Sequence, residues 1–286
     1  MHVQKKFELS ERRACQAVGQ PRSTQRYPSR RVDRDRSLIE RMIALSTGNP
    51  RYGYRRVWAL LKREGWHVNK KRVHRLWREE GLRVPGKQRK RRRLAGTSEN
   101  ASSRKRAEYK DHVWSYDFVI DRTEDGHTLK MMPVVDEYSR ECLTLEVERS
   151  ITAEEVVRTL VALFDRRREP AFIRSDNGPE FIAEAVKRWL TASGVKTLYI
   201  EPGSPWENAY SETFIGRFSD ELLKREVFTN LLEAKVLVEE YRSHYNQERP
   251  HSALGYRTPA EFAALCESIG VDGEPTKELE SAIVLS

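Results

Sequence analysis

Cysteines, long apolar runs and targeting signals are few or absent in this chain of 286 residues. Its three cysteines (Cys15, Cys142 and Cys266) stand far apart and form no C-x-x-C pair, which argues against a zinc ribbon and a disulfide framework. No run approaches the roughly 20 apolar residues that a membrane-spanning helix needs. The first residues lack the apolar stretch of a secretory signal. We therefore expect a reduced, cytoplasmic protein with no membrane partner.

Several common catalytic signatures are also missing. The sequence has no G-x-S-x-G motif, no phosphate-binding Walker loop and no H-x-x-x-H zinc spacing. No cysteine stands in a motif typical of a nucleophile. These absences argue against serine hydrolases, P-loop nucleotidases, zinc proteases and cysteine enzymes, and they direct attention to carboxylates.

Charge is distributed unevenly along the chain. Residues 1–108 carry 31 Lys and Arg against 10 Asp and Glu, whereas residues 109–286 carry 21 against 33. A basic arm joined to an acidic domain is typical of proteins that bind a polyanion and act on it with a separate unit. We expect a nucleic acid partner, although charge alone leaves DNA, RNA and the ribosome open.

Two segments of the basic part favour helix-turn-helix structure. The first, residues 8–27, is short. The second, residues 37–81, predicts three helices, of which the last starts at the capping residue Asn69 and buries apolar residues at helical spacing. The other face of this last helix carries five basic side chains: Lys70, Lys71, Arg72, Arg75 and Arg78. A basic third helix suits the DNA major groove, and the alternative is a plain bundle with a solvated charged face.

A basic, polar stretch follows the helical region. Residues 85–108 predict a linker, because "LAGTSENASS" offers no core residues of a regular element. The linker contains six basic residues within seven positions, namely Lys87, Arg89, Lys90, Arg91, Arg92 and Arg93. Such a run can contact phosphates without sequence preference. A targeting signal is the alternative, for which a basic run alone is weak evidence.

The pattern from residue 109 onward changes to alternating strands and helices. Strands are predicted at residues 112–120, 128–136, 142–147, 171–176 and 195–200. Helices are predicted at residues 152–167, 180–194, around 212 and 230–246. A capping box of Thr152 and Glu155 starts the first of these helices. The order predicts a mixed α/β layer structure.

Three carboxylates stand at unusual places in this pattern. Asp117 interrupts a strand that is otherwise apolar or neutral, and Asp176 ends the fourth strand before Asn-Gly-Pro. Glu212 lies in the helix after the fifth strand, one turn beyond Asn208 on the same helical face. Taken singly, these residues have ordinary alternatives: a satisfied buried group, a turn former and a surface residue. If the first and fourth strands are neighbours, however, their two aspartates converge on one edge.

Clustered carboxylates repel one another, and a divalent cation removes that conflict. Hard oxygen ligands with open positions suit Mg²⁺, which also binds substrate phosphate oxygens. Two such ions about 4 Å apart can activate an attacking oxygen and stabilise a leaving oxygen. The residues therefore predict a metal-dependent phosphoryl-transfer site.

Four stretches carry a resemblance to a known family: "WSYDF", "IRSDNGPEF", "PGSPWENAYSETF" and "YRSHYNQERPHSALGYRTPAEF". Together they resemble the integrase-type core of DDE insertion-sequence transposases of the OrfB type, over roughly residues 110–263. The resemblance implies an α/β fold, an RNase H-like mixed sheet flanked by helices and preceded by an all-α helix-turn-helix region. It also implies two Mg²⁺ ions, with Mn²⁺ as a substitute, and a catalytic triad of Asp117, Asp176 and Glu212.

The resemblance extends to further positions. Asn208 matches a family residue that orients the metal shell or the DNA end. Family members usually carry a basic residue seven positions after the glutamate, where this chain has Ser219, and the basic Arg217 lies on a different helical face. The C-terminal motif matches at Tyr245, Asn246, Arg249 and His251, where a structural turn that packs the last helix is an equal alternative. Asn208 and Arg217 are thus candidate DNA contacts.

The family implies a set of partners and a division of the chain. The partners are double-stranded DNA (terminal inverted repeats and target), further copies of the chain on paired ends, and an upstream-frame DNA-binding protein, fused or associated. The location implied is the cytoplasm, at the nucleoid. The expected division is a helix-turn-helix region at 1–84, a linker at 85–108, the catalytic core at 109–265 and a tail at 266–286. Two rival functions stay open: a catalytically silent DNA-end-binding regulator or remnant, and a nuclease that cuts without joining.

Overall fold

The computed structural model of the protein describes residues 2–26, 30–86, 105–175, 184–199 and 208–268. The chain divides into two compact units, Met1–Val57 with Trp66–Val84 and Trp58–Gly65 with Pro85–Ser286. The basic run from Lys87 to Arg93, the Asp176 position and most of the predicted tail lie outside the described residues. No helix within the described ranges is both long and apolar enough to cross a membrane.

The first unit is helical, as predicted. Its helices are α1 (His2–Phe7), α2 (Glu11–Ala17), α3 (Arg22–Arg26), α4 (Arg30–Gly48), α5 (Tyr54–Arg63, whose end is grouped with the second unit) and α6 (Lys70–Glu79). The short helix α1 has no counterpart in the sequence-based prediction. Asn69 caps α6 by accepting the Lys71 N–H at 2.8 Å, which satisfies an otherwise unpaired donor.

The apolar face of α6 packs as its helical spacing predicts. Val73, Leu76 and Trp77 are buried, and so are Leu38 and Met42 of α4. These residues repeat at three- and four-residue intervals, so they form a stripe on one side of each helix. The hydrophobic burial of these stripes fixes which face of α6 remains for solvent or a partner.

Asp35 links α4 to α6 from the buried side. This residue is 5% exposed, and it accepts hydrogen bonds from the guanidinium groups of Arg72 and Arg75. Burial alone raises the pKa of Asp35, but the hydrogen bonds from Arg72 and Arg75 outweigh it, so the pKa is lowered. Two of the five basic residues of α6 are therefore engaged within their own unit.

The second unit is built on a mixed six-stranded sheet. Its strands are β1 (Val113–Tyr116), β2 (Val119–Arg122), β3 (Thr128–Asp136), β4 (Cys142–Glu148), β5 (Phe172–Ser175) and β6 (Lys196–Tyr199). Strand β3 pairs antiparallel with β1, β2 and β4, whereas β5 pairs parallel with both β1 and β6. Strand β4 pairs with one edge of β3 over residues 130–135, several of which also pair with β1 or β2. Strands β1 and β2 must therefore share the other edge of β3.

The strand predicted at residues 112–120 is interrupted at Asp117 and Phe118. Strands β1 and β2 pair with β3 in one continuous register, since Tyr116 lies opposite Val134 and Val119 lies opposite Met131. The same register places Pro133 opposite Asp117. Proline has no backbone N–H to donate, so the ladder has one donor fewer at this point. The prediction of an uninterrupted strand is therefore corrected to two strands with a break at the aspartate.

Helices cover both faces of the sheet. They are α7 (Ala153–Phe164), α8 (Glu184–Ala192), α9 (Ala209–Phe218), α10 (Leu231–Gln247) and α11 (Pro259–Ser268). One core cluster joins the sheet to α7 and α8, and a second joins it to α9 and α10. The predicted capping box of Thr152 and Glu155 starts α7, and Asn230 caps α10. This architecture confirms the α/β, RNase H-like class with a preceding helical region.

Several element ends differ from the expected ones by one to three residues. Helix α7 ends at Phe164, whereas the prediction extended it to residue 167. Helix α11 runs to Ser268 and buries Cys266, so the regular structure continues past the expected core boundary at residue 265. Assigned helix ends commonly differ by one or two residues, so differences of this size leave the predicted layer structure unchanged.

Candidate active site

Asp117 lies at the interruption between β1 and β2. The residue is half-buried, and its Oδ1 accepts the backbone N–H of Phe118 at 2.8 Å. A side chain that bonds its own neighbour's backbone competes with regular strand pairing. The local sequence thus both breaks the strand and presents a carboxylate at the break.

Asn208 connects the start of α9 to Asp117. Its Nδ2 donates a hydrogen bond to Asp117 Oδ2 at 3.0 Å, across 91 residues of sequence. Asn208 is only 4% exposed, and its Oδ1 is buried without a hydrogen-bond partner among the described residues. A buried acceptor of this kind is costly unless a donor or cation satisfies it, so a donor or cation at this oxygen would be favourable.

Glu212 lies in the first turn of α9, four positions after Asn208. Residues four apart share one face of a helix, so the bond between Asn208 and Asp117 also brings the Glu212 side of α9 toward the strand interruption. Glu212 is exposed and makes no ion pair within the described ranges. Two of the three predicted carboxylates therefore belong to one region of the structure.

The position of Asp176 lies outside the described residues, and no geometry is assigned to it. Strand β5 ends at Ser175, immediately before it, and pairs parallel with β1 through Ser115 and Arg174. The condition set for the first and fourth strands, that they are neighbours in the sheet, is therefore met. Parallel neighbours present their carboxyl ends at the same edge of a sheet, which is where ligands of open α/β sheets bind.

Helix α9 is held on the sheet by aromatic packing and by small residues. Phe214 and Phe218 are buried against Tyr241 and Tyr245 of α10, with ring centroids 4.8 Å apart for Phe214 and Tyr245. Ser211, in the first turn of α9, is fully buried. Tight packing of this kind defines the orientation of α9, and with it the direction of Glu212.

The first turn of α9 has a further contact that the sequence did not indicate. The Arg140 guanidinium lies over the ring of Tyr210 at 3.8 Å from the centroid. Arg140 stands in the turn between β3 and β4 and has a left-handed backbone with φ of 67°. A cation over an aromatic face is attractive, so this contact ties the start of α9 to that turn.

The residues present fit a hard divalent cation. Asp117, Glu212 and the Asn208 amide offer oxygen donors of the type that Mg²⁺ prefers. The unpartnered Asn208 Oδ1 is the observation that favours such a ligand. No cluster of three or more His, Cys, Asp or Glu placed for a metal occurs within the described ranges, from which Asp176 is missing.

The predicted DNA-binding residues of α6 divide into two groups. Lys70, Lys71 and Arg78 are exposed. Arg72 and Arg75 bond Asp35, and Arg75 also bonds Glu79 at 2.7 Å. The structure brings all five onto one helix, but two of them also hold the unit together.

Arg217 and Ser219 lie near the end of α9. Arg217 is half-buried and hydrogen-bonds Tyr245, whose pKa is raised chiefly by burial while Arg249 and Arg217 oppose the rise. Ser219 follows the last residue of α9, and its carbonyl accepts the Lys224 N–H at 3.0 Å. The DNA contacts expected of Arg217 and Asn208 stay predictions.

Two contacts of the C-terminal motif were missed because their partners are distant in sequence. The Asn246 side chain bonds both backbone groups of Cys142, with its Oδ1 accepting the N–H at 2.9 Å and its Nδ2 donating to the carbonyl at 2.8 Å. Arg249 forms a two-pronged ion pair with Glu221. The only sequence signal was the motif itself.

Family models match residues 33–92 and 107–259 of the chain. The model described as "Integrase core domain" matches residues 107–205, and a second model with the same description matches residues 193–259. A model described as "HTH-like domain" matches residues 33–92. The matched ranges include both carboxylates of the site and helix α6.

Curated relatives are proteins of bacterial insertion elements. The chain is 39% identical over 262 residues to the insertion element IS407 uncharacterized 31.7 kDa protein of Burkholderia multivorans, covering 92% of this chain and 93% of the relative. It is 38% identical over 256 residues to an IS476 protein of Xanthomonas euvesicatoria, covering 90% and 73%. It is 29% identical to transposase InsD of Escherichia coli, covering 82% and 80%.

Solved structures show a weaker likeness. A simian T-cell lymphotropic virus intasome structure aligns with a TM-score of 0.49 and 14% identity, covering 82% of this chain and 77% of that one. The HTLV-2 integrase catalytic core aligns with a TM-score of 0.44 and 16% identity, covering 54% and 97%. The two insertion-element relatives above 30% identity, the family models and the similarity to transposase InsD together decide the assignment: the chain belongs to the insertion-sequence transposases, with an HTH-like DNA-binding region and an integrase core that acts in DNA integration.

Proposed function

We propose that this transposase cuts and joins DNA strands at a site where Asp117, Asp176 and Glu212 hold two divalent cations, Mg²⁺ or in its place Mn²⁺. The observation that carries the proposal is the hydrogen bond from Asn208 to Asp117. Because Asn208 and Glu212 share one face of α9, this bond supports a position of Glu212 near the strand interruption. Membership in the transposase family supports the reaction class, which is phosphoryl transfer between DNA strands.

The proposed reaction has two displacements at phosphorus. In the first, water attacks a phosphodiester at the element's end, a P–O bond forms, and the bond to the 3′ oxygen breaks to leave a 3′-OH. In the second, that 3′-OH attacks a phosphate of another strand, whose own 3′ oxygen leaves. No covalent bond between protein and DNA is needed. Each displacement proceeds in line, so positioning and charge stabilisation dominate the catalysis.

The chain's own residues prepare the site for these steps. Bound divalent cations supply activation of the attacking oxygen and stabilisation of the leaving one. Asp117 is oriented by Asn208 and by the Phe118 N–H, and Glu212 is carried by a helix packed on the sheet. Groups fixed in this way lose little freedom at the moment of reaction.

We further propose how the DNA and other copies are bound. The exposed basic face of α6 and the run from Lys87 to Arg93 contact the terminal inverted repeats and the target. Copies of the chain pair two ends, and a fused or associated upstream-frame protein adds end binding. The proposed location is the cytoplasm, at the nucleoid. The divisions at residues 84, 108 and 265 are kept as proposed domain bounds.

A cleavage and joining assay tests the proposal. The purified protein is mixed with labelled duplex that carries the element's own end, with Mg²⁺ or with EDTA. The Asp176→Asn variant is compared with Asp165→Asn, a matched change of an exposed aspartate at the end of α7. We expect metal-dependent nicking and joining that is lost only in Asp176→Asn.

Other outcomes separate the rival functions. Nicking without joined product indicates a nuclease that does not transfer strands. DNA binding without any cutting, repeated with the upstream frame fused to this chain, indicates a regulator or remnant. Either result contradicts the proposed transposition chemistry.

A further inference from the structure

The helix that carries Glu212 does not end in an ordinary way. Beyond Phe218, α9 continues into a π-helical turn, Ser219–Leu223, in which the Lys224 N–H bonds the Ser219 carbonyl at 3.0 Å. Such a turn inserts one extra residue and is frequent at functional sites. The insertion changes the direction in which the following side chains leave the helix. Glu221 lies within this turn, and its side chain is only 11% exposed.

Glu221 meets a fully buried arginine. The Arg249 Nε donates to Glu221 Oε2 at 2.8 Å, and its second terminal nitrogen donates to Oε1 at 2.7 Å. The Arg249 side chain is 0% exposed. Two parallel hydrogen bonds between planar groups fix both the distance and the orientation of the partners. The pair therefore constrains the π-helical turn more tightly than a single contact would.

Arg249 is itself held on its other sides. Its remaining terminal nitrogen lies 3.1 Å from His251 Nε2, and its guanidinium stands 5.4 Å from the ring centroid of Tyr245. The Asn246 amide bonds both backbone groups of Cys142 at the start of β4. The segment from Tyr245 to His251 is thus anchored to the sheet, and Arg249 extends that anchor to α9.

Stability alone is a weak reason for such a pair. Removing two charges from water costs several kcal/mol per ion, and apolar replacements of buried ion pairs are often as stable or more stable. Aromatic packing already attaches α9 through Phe214 and Phe218. An apolar contact, however, tolerates small rotations and slides that a two-pronged ion pair does not. The ion pair therefore restricts the position and rotation of α9 more tightly than the aromatic packing alone.

We propose that the Glu221–Arg249 ion pair is a positioning device that fixes the rotation and axial position of α9, and so holds Glu212 at the strand interruption. Glu221 follows Glu212 by nine positions, which is about 13 Å along a helix axis. The ion pair thus acts in the π-helical turn that continues α9, at the opposite end of the helix from Glu212. This inference rests on the proposed role of Glu212 in strand cleavage. Neither Glu221 nor Arg249 is assigned contact with DNA.

The test separates positioning from folding with an apolar double variant. Glu221→Met with Arg249→Met removes both charges and leaves no buried unpaired ion, so the thermal midpoint is expected to stay near that of the unchanged protein. The initial rate on the labelled end duplex is expected to fall by a factor of about 10 to 100 in kcat with KM little changed, since displacements near 1 Å have effects on this scale. Arg249→Met alone is expected to lower both the midpoint and kcat.

A matched control removes another ion pair of the same unit. Lys110 and Glu267 pair at 2.8 Å before the start of β1, whereas the strand interruption follows the end of β1. The double change Lys110→Met with Glu267→Met is expected to leave kcat within about twofold. If the Met/Met variant of Glu221 and Arg249 fails to fold, Arg249→Lys takes its place, because lysine keeps the charge and loses the two-pronged geometry.

A second readout does not depend on DNA cleavage. Amide hydrogen exchange of residues 209–218 in the free protein is expected to speed up at least about fivefold in the apolar double variant at an unchanged midpoint, because local opening reports the loss of a constraint. Unchanged exchange together with unchanged kcat in the apolar double variant overturns the inference. The inference also fails if kcat falls only in the variants whose thermal midpoint falls, because the ion pair would then act through stability alone. If the unchanged protein does not cut DNA, the proposed function fails, and the exchange experiment still decides the positioning role.

Discussion

The second unit holds carboxylates at both ends of β1, and the two ends treat them differently. Before β1, Asp111 accepts the Trp114 indole N–H at 3.0 Å and pairs with Lys110 at 3.1 Å. After β1, Asp117 receives an N–H from the neutral amide of Asn208, and Glu212 is exposed. The first arrangement pairs a carboxylate with a cation of the protein, whereas in the second a neutral side-chain amide bonds the carboxylate.

The end before β1, with Asp111 bonded to Lys110 and Trp114, is the satisfied end, and it contains further buried charges. Glu137 and Arg174 pair at 2.9 Å with side chains that are 0% and 4% exposed. Burial and the nearby charge of Asp111 raise the pKa of Asp136 to about 6, against which hydrogen bonds from Ser139 act. These groups tie the ends of β1, β3 and β5 together. The carboxylates before β1 thus bond cations of the protein and support the fold, whereas the proposed site uses the carboxylates at the other end.

The largest expected effect comes from the exposed glutamate. Glu212→Gln removes a metal-binding charge and is expected to lower the rate of strand cleavage by a factor of roughly 10³, the scale seen when a charge-stabilising group is lost. The thermal midpoint is expected to change little, because Glu212 is exposed. Glu240→Gln, an exposed change on α10, serves as the control and is expected to cleave normally. A Glu212→Gln variant with normal cleavage contradicts the assignment of the site.

The reverse pattern is expected at the satisfied end. Glu137→Gln leaves the buried Arg174 without its charged partner, which typically costs about 3 to 5 kcal/mol of unfolding free energy. Urea unfolding monitored by tryptophan fluorescence measures this loss. The double change of both residues to Met is expected to recover most of it. If Glu137→Gln is as stable as the unchanged protein, the contrast between the two ends is wrong.

A smaller effect is expected for the residue that orients Asp117. Asn208→Leu fills a similar volume but removes the donor to Asp117, and losses of this kind typically cost about 10 to 100 times in metal affinity or activity. The Mg²⁺ concentration that gives half-maximal cleavage is expected to rise. Asn208→Asp is a useful second variant, since it keeps the shape and adds a negative charge beside Asp117. An unchanged Mg²⁺ dependence in both variants would show that Asn208 does not orient the metal ligands.

The smallest effect is expected in the first unit. There the buried Asp35 is bonded to two arginines of its own unit, just as the carboxylates at the satisfied end are bonded to cations. Lys71→Ala and Arg78→Ala remove exposed charges, and each is expected to weaken DNA binding and to reduce the slope of log affinity against log salt by about 1. Fluorescence anisotropy at several salt concentrations measures both quantities. Arg72→Ala is expected to lower the thermal midpoint, because Arg72 bonds the buried Asp35. A larger change in the salt slope for Arg72→Ala than for Lys71→Ala would contradict the division of the basic α6 residues into exposed DNA contacts and residues bonded to Asp35.

Local sequence signals predicted much of the fold. The caps at Asn69, Thr152 and Asn230 depend on residues within three positions, and all three occur as predicted. Strand β3 has its predicted bounds, because apolar residues and flanking turns specify them. Interactions between distant residues were not predictable in this way. The strand break at Asp117 depends on Pro133 in another strand, and the partner of Arg249 lies 28 residues away in a π-helical turn.

In the candidate site, too, some features were predictable from local sequence and others required the three-dimensional structure. Carboxylate spacing and family motifs led to the prediction of Asp117 and Glu212, whereas the adjacency of β1 and β5 was left open by the sequence and is seen in the structure. The hydrogen bond between Asn208 and Asp117 spans 91 residues and required the three-dimensional structure. The predictions for Asp176 and for the basic run from Lys87 to Arg93 fall outside the described residues.

Sulfur substitution at the scissile phosphate tests most directly whether this end of the sheet holds the catalytic metal. End duplexes are prepared with each phosphorothioate diastereomer in turn, and strand cleavage is measured with Mg²⁺ and with Mn²⁺, which accepts sulfur ligands more readily. We predict that one diastereomer is cut poorly with Mg²⁺ and recovers with Mn²⁺, and that Glu212→Gln abolishes the recovery. Equal cleavage of both diastereomers with both metals, or recovery that survives Glu212→Gln, would contradict a metal held by these carboxylates at the reacting phosphate.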